Sequence, residues 1–272
     1  MPAFAPGPRP GGLPPVRVLR TRAGRLACVV SGRGAPPIVL IAGAGVALEG
    51  WRRLYPAIER LGTVFAWNRF GLRGSDPPPR QGQSASDVVA ALRELLRQAG
   101  IAPPYLLVGH SVGGLHANLF ARLHPREVAG LLLLEAAHPQ DQAVLRPHET
   151  RLAGALSRLL ALPQQWLRPN LHAEMQCIRR TVEEVGVAGP FPEIPLTVVT
   201  GGQAPPAWMM SPAAVGEKRA HQQELARLSP LGEQVIAQRS GHFPQLSEPG
   251  LVLDALRRLL VRCRSQAPDK PL

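Results

Sequence analysis

Gly109-His110-Ser111-Val112-Gly113 is the stretch that most restricts what this chain can fold into. It follows the apolar run Tyr105-Leu106-Leu107-Val108 and precedes a helix-compatible segment over 114–123. A serine between two glycines at a strand-to-helix junction marks a sharp turn. The glycines permit a path too tight for side chains, and the turn lifts the serine hydroxyl above the end of a sheet. A serine hydroxyl is a weak nucleophile alone, so the motif requires a histidine and a carboxylate from elsewhere in the chain.

The rest of the chain supplies a sheet for that turn. Eight β-like runs occur at 16–20, 26–30, 38–42, 64–67, 105–108, 131–134, 196–200 and 234–237. The first two flank Ala23-Gly24 and read as a hairpin. Ile38-Val39-Leu40-Ile41-Ala42 is apolar throughout, which suits a parallel strand buried on both faces. Helix-compatible segments alternate with the strands at 51–61, 84–98 and 114–123, and 251–262 closes the chain. In 84–98, Ser84 or Ser86 can cap the helix. Val88, Val89, Leu92, Leu95 and Leu96 form one apolar stripe, and Gly100 stops it. Such alternation predicts an α/β protein with a mostly parallel eight-stranded sheet and helices on both faces.

The pattern breaks at 138–194, where helix-like segments (149–162 and 171–185) occur without a strand. This stretch reads as a small helical cap inserted into a core of 16–137 and 195–264. Residues 1–15 and 265–272 read as tails. Residues 1–15 are rich in Pro and Gly and lack the apolar segment of a signal peptide, and no apolar run approaches ~18 residues. A cytoplasmic protein with no membrane association is expected. Cys28, Cys177 and Cys263 are odd in number and widely separated, as expected of buried free thiols rather than a disulfide or metal framework.

The formal net charge of +12 is almost all arginine, since Lys218 and Lys270 are the only lysines. The arginines are scattered, with no run longer than two, so a nucleic-acid partner is not expected despite the charge. A small molecule is the expected partner.

Functional groups of a parallel sheet gather at the carboxyl ends of its strands. Ser111, Glu135 and His242 each follow a strand, in that chain order. His242, in Ser240-Gly241-His242-Phe243-Pro244, is placed to act as general base. The strand over 196–200 ends in Gly201-Gly202-Gln203, and the next carboxylate, Glu217, lies too far along. Glu135 is therefore the candidate acid, with Asp141 as runner-up and Asp76 third. Two backbone N–H groups must hold an oxyanion. Val112, next to the serine, and Ala44, in the Gly43-Ala44-Gly45 loop, are the candidates.

Three segments together resemble the α/β-hydrolase fold family over about residues 16–264. They are Pro104 to Gly114 around Ser111, Asn68-Arg69-Phe70-Gly71-Leu72-Arg73-Gly74-Ser75-Asp76, and Gly241-His242-Phe243. The sequence departs from the family twice. Ala42-Gly43 stands where His-Gly is common, and the usual acid after the second-last strand is missing. Leu134-Glu135-Ala136 is similar to the glutamate placement of some haloalkane dehalogenases. Dehalogenases and epoxide hydrolases of this fold use an aspartate nucleophile, so Ser111 argues against both activities.

The resemblance implies a serine hydrolase of the carboxylic-ester class, working through an acyl-enzyme with Ser111, His242 and Glu135 and needing no metal or cofactor. The same residues could serve acyl transfer or C–C bond hydrolysis, or persist in a ligand-binding receptor. Leu, Ala and Trp166 in the cap suggest an apolar substrate group.

Overall fold

Ile38, Val39, Leu40 and Ile41 are all buried, and they face two separate cores. Val39 and Ile41 join one apolar cluster, and Ile38 and Leu40 the other. Leu107, Leu131 and Leu133 alternate in the same way with Leu106, Leu132 and Leu134. The continuous apolar runs exist because each central strand is covered on both sides. Burying each such leucine contributes roughly 1.5–3 kcal/mol.

A computed structural model describes residues 12–141 and 169–266. The strands are β1 (Arg17–Thr21), β2 (Gly24–Ser31), β3 (Ile38–Ile41), β4 (Val64–Trp67), β5 (Tyr105–His110), β6 (Val128–Leu134), β7 (Leu196–Gly201) and β8 (Gly232–Ala237). They form one eight-stranded sheet in the order β1-β2-β4-β3-β5-β6-β7-β8. β2 pairs antiparallel with both β1 and β4, and every other pairing is parallel.

The helices are α1 (Tyr55–Glu59), α2 (Ala85–Gln98), α3 (Val112–Leu123), α4 (Pro169–Gln176), α5 (Ile178–Val187), α6 (Pro212–Ala226), α7 (Pro244–Ser247) and α8 (Pro249–Ser265). One face of the sheet packs against α2 and α3, the other against α1 and α8. At the start of α2, the Ser84 backbone N–H and hydroxyl both donate to Asp87, at 3.0 and 2.9 Å. Two further amides of that turn donate to side chains of α5, Ala85 to Thr181 (3.0 Å) and Ser86 to Glu184 (2.8 Å). Helix α5 is thus fastened to the core through α2's otherwise unpaired N–H groups.

Two expectations change. The segment 51–61 is not one helix but a 3-10 turn, Leu48–Trp51, followed by the short α1. Pro56 sits in the first turn of α1, where its missing N–H costs nothing, and so marks a later start. The segment 171–185 is two helices, broken at Cys177, whose thiol donates to the Gln81 carbonyl at 3.3 Å. The expected helix over 149–162, His148, Trp166 and the tails' outermost residues (1–11 and 267–272) lie outside the described residues. Among the described residues, no helix is long and apolar enough to cross a membrane.

Candidate active site

Ser111 occupies the turn between β5 and α3 with φ +52° and ψ −126°, a conformation that L-residues rarely adopt. The flanking glycines explain how the turn closes. A Cβ on Gly109 would sit 2.7 Å from the Gly113 carbonyl oxygen, and one on Gly113 would sit 2.3 Å from that of Ile41. The Ser111 N–H donates to Leu134 O (3.2 Å), and its carbonyl accepts from Ala137 N–H (3.0 Å). The elbow is thereby tied to the end of β6, where Glu135 begins the next loop.

Ser111 Oγ lies 3.1 Å from His242 Nε2. His242 Nδ1 in turn lies 3.5 Å from Glu135 Oε2. The loop carrying His242 is held from behind by Glu248, whose Oε2 accepts from the Arg239 N–H and the Ser240 hydroxyl, both at 2.8 Å. His110 supports it from the elbow, its Nε2 lying 2.9 Å from the His242 carbonyl. Burial drives the His110 pKa down to about 4, so near neutral pH it is an uncharged imidazole that donates to that carbonyl. The sequence places His110 in the elbow, but its bond to a residue 132 positions away has no local signal.

Glu135 is buried, with φ +42°, the only other positive φ outside glycine among the described residues. Its Oε1 accepts from Gly201 N–H at 2.7 Å, and its Oε2 also accepts from Lys218 Nζ at 3.0 Å. Burial pushes its pKa up, but His242, the Lys218 charge and the Gly201 amide outweigh burial, so the net shift is downward. The carboxylate stays ionised near neutrality. Lys218, on α6, has no local signal in the sequence: it meets Glu135 across 83 residues on a helix whose apolar pattern is weak.

The other candidate acids have partners elsewhere. Asp141 Oδ1 lies 2.8 Å from His221 Nδ1, and its Oδ2 accepts from the His138 N–H at 2.8 Å. Asp76 binds the backbone and guanidinium of Arg25 at the sheet's antiparallel end. Glu217 points into solvent.

Val112 is the first residue of α3, so its N–H has no carbonyl a turn earlier to bind and can face a ligand. Ala44 lies in the loop after β3. Gly43 in that loop abuts the elbow, since a Cβ there would be 3.1 Å from Ser111 Cβ. A cavity of about 210 Å³ opens onto Ser111, His242 and Lys218, and Leu115, Ala137, Met175, Ile178 and Val182 line its apolar wall.

His138, Asp141 and His221 bring ligand-type atoms within 4.8 Å of one another, the one group of metal-ligand spacing among the described residues. Several of these atoms have hydrogen-bonding or ionic partners in the fold. His138 Nδ1 accepts from Gln140 N–H (3.2 Å), His138 Nε2 faces Glu224 (3.5 Å), and His221 is bonded to Asp141. The two imidazoles stack with centroids 4.5 Å apart. These contacts tie α6 to the loop that follows β6.

The sheet order, the elbow and the strand-end groups define an α/β-hydrolase architecture. The family model of the alpha/beta hydrolase fold matches residues 36–172, half of the chain, and the protein belongs to that family. The Bacillus subtilis protein YqjL is 33% identical over 106 residues, covering 39% of this chain and 42% of YqjL. The chain spans less than half the length of the curated relatives it matches first. Among solved structures, Lip1 of Acinetobacter baumannii AYE superposes with a TM-score of 0.73 at 18% identity, covering 94% of each chain. The carboxylesterase CesB of Bacillus subtilis superposes with a TM-score of 0.60 at 19% identity, covering 90% of this chain and 91% of CesB. Identities this low establish a shared fold and nothing finer.

Proposed function

We propose that the protein is a serine hydrolase that cleaves an ester-like bond of a small, partly apolar substrate through an acyl-enzyme. The observation that carries the reading is the relay from Ser111 Oγ to His242 Nε2 (3.1 Å) and from His242 Nδ1 to Glu135 Oε2 (3.5 Å). As Ser111 Oγ attacks the substrate carbonyl carbon, its proton passes to His242 Nε2. The ionised Glu135 orients the imidazole and offsets the charge of the imidazolium. The carbonyl oxygen becomes an oxyanion, held by the N–H groups of Ala44 and Val112. Collapse expels the alcohol, which takes the proton from His242. Water then attacks the acyl-serine by the same route, releasing the acid and restoring Ser111.

The apolar cavity beside Ser111 supports an apolar acyl or alcohol group, and a serine nucleophile argues against the aspartate-based dehalogenase and epoxide chemistries of the fold. The kinship with a carboxylesterase fold is consistent with this but does not carry it.

The test is labelling by a fluorophosphonate probe together with turnover of p-nitrophenyl esters across chain lengths. Wild-type protein should label at Ser111 and turn over, and Ser111→Ala should do neither while its circular dichroism is unchanged. Absence of labelling in the wild type would point to a ligand-binding role. Labelling with product found only on an added acceptor would point to acyl transfer.

A further inference from the structure

We infer that Arg69 is a positioning residue for the Ala44 oxyanion donor, and that the cap helix α4 holds it in place through Glu174. This deepens the serine-hydrolase reading and rests on it.

The peptide joining Gly43 to Ala44 is a rigid trans plane, so the Gly43 carbonyl and the Ala44 N–H point in opposite directions. Whatever fixes the carbonyl therefore aims the N–H. Arg69 Nη2 donates to Gly43 O at 2.7 Å, and Nη1 donates to Ala42 O at 2.8 Å. The second donor to Gly43 O, the Val46 N–H at 3.1 Å, is longer and uncharged. One guanidinium fork thus grips two consecutive carbonyls of the loop, a task suited to arginine's planar geometry. Ala42 itself contributes only a methyl group, which offers the loop no hydrogen bond.

The other edge of the guanidinium binds Glu174 on α4, through Nε to Oε1 and through Nη2 to Oε2 at 3.1 Å. Both side chains are 1% exposed, so salt and water screen the pair little. Asn170, one turn earlier on α4, adds a parallel tie. Its Oδ1 accepts from Gly45 N–H at 2.8 Å, and its Nδ2 donates to Glu174 at 3.0 Å and to Phe70 O at 2.9 Å. The cap and the oxyanion loop are therefore one hydrogen-bonded unit, and an active donor geometry depends on the cap being seated.

Two variants and a transition-state mimic test this. Arg69→Lys keeps a positive charge for Glu174 but cannot span both carbonyls and the carboxylate. Arg69→Met with Glu174→Leu removes both charges together and leaves neither one orphaned in the core. In each, kcat for a p-nitrophenyl ester should fall about 10- to 100-fold with KM changed by no more than about threefold. The Ki of a boronic acid, which forms a tetrahedral adduct on the serine, should rise by a similar factor, and the Tm of Arg69→Lys should stay within a few degrees of wild type. Wild-type kcat and boronate affinity in Arg69→Lys would overturn the inference. So would a folded Met/Leu pair with wild-type kcat, which would make the ion pair purely structural. If the wild type labels with fluorophosphonate and the variants match it, the positioning role alone fails. If the wild type does not label, the hydrolase reading fails and takes this role with it.

Discussion

The backbone N–H of Gly201, at the end of β7, donates to Oε1 of Glu135, at the end of β6, across 2.7 Å. β7 thus contributes an amide at its end, and that amide holds a carboxylate reaching over from the neighbouring strand. Glu135 N–H donates to Val199 O at 2.9 Å, which fixes the backbone from which the side chain reaches.

Replacing Glu135 by Gln should lower kcat about 10²- to 10⁴-fold, because an amide neither offsets the imidazolium charge nor enforces its tautomer. Asp141→Asn should change kcat by no more than a few-fold, since Asp141 is engaged with His221 and the His138 backbone. Steady-state ester hydrolysis by the two variants decides the matter, and the reverse ranking would make Asp141 the acid.

The parts of this arrangement that local sequence specifies are those carried by one strand and the turn after it. The β5 run, the glycine-flanked Ser111 and the start of α3 are contiguous, so the elbow is legible, and so is a carboxylate immediately after an apolar strand. The break between α4 and α5 is not. No Gly or Pro lies between Met175 and Ile178, and the break falls where the Cys177 thiol meets the Gln81 carbonyl. Arg69 stands within a recognisable segment, but its partner Glu174 lies 105 residues on, on α4. Lys218 is hidden for the same reason. Pairings of buried charges are set by packing of the whole chain, and neither periodicity nor spacing encodes them.

Lys218 and His242 both face Glu135 Oε2, at 3.0 and 3.5 Å. The lysine charge is one of the influences that lower the Glu135 pKa. Lys218→Met should therefore raise that pKa, so that the carboxylate protonates at higher pH on acidification. The acidic limb of the kcat/KM profile should move to higher pH, with the alkaline limb little changed. A limb that stays in place, or moves to lower pH, would show that Lys218 does not act on this carboxylate.

The elbow histidine should make the fold acid-sensitive. His110 is 1% exposed and titrates at about 4 when folded, against 6.5 for an unperturbed imidazole. Between those values the unfolded chain binds a proton that the folded chain refuses, so stability falls as pH falls from 6.5 and levels off near 4. The shift corresponds to about 3 kcal/mol lost across the window. His116, fully buried on α3 and shifted in the same direction, should steepen the loss. Urea unfolding at intervals from pH 7 to 5 should show this slope, and His110→Gln should reduce it by about one proton. A slope unaffected by the substitution would assign the acid sensitivity to other groups.

Two glycine-to-alanine changes should have opposite signs. A Cβ on Gly113 meets Ile41 O at 2.3 Å and Ala42 O at 2.5 Å, both backbone atoms that cannot swing aside. Gly113→Ala must therefore push the elbow away from the end of β3 and the loop that follows it. It should destabilise the fold by about 1–3 kcal/mol and remove most ester turnover. Gly216 lies exposed within α6, and a Cβ there meets nothing within 4 Å. Gly216→Ala should stabilise by about 0.5–1 kcal/mol through the lower backbone entropy of the unfolded chain, with turnover unchanged. Denaturant midpoints and ester hydrolysis for the two variants check both signs. A Gly113→Ala protein as stable and active as wild type would mean that the contact between the elbow and the end of β3 is looser than these distances require.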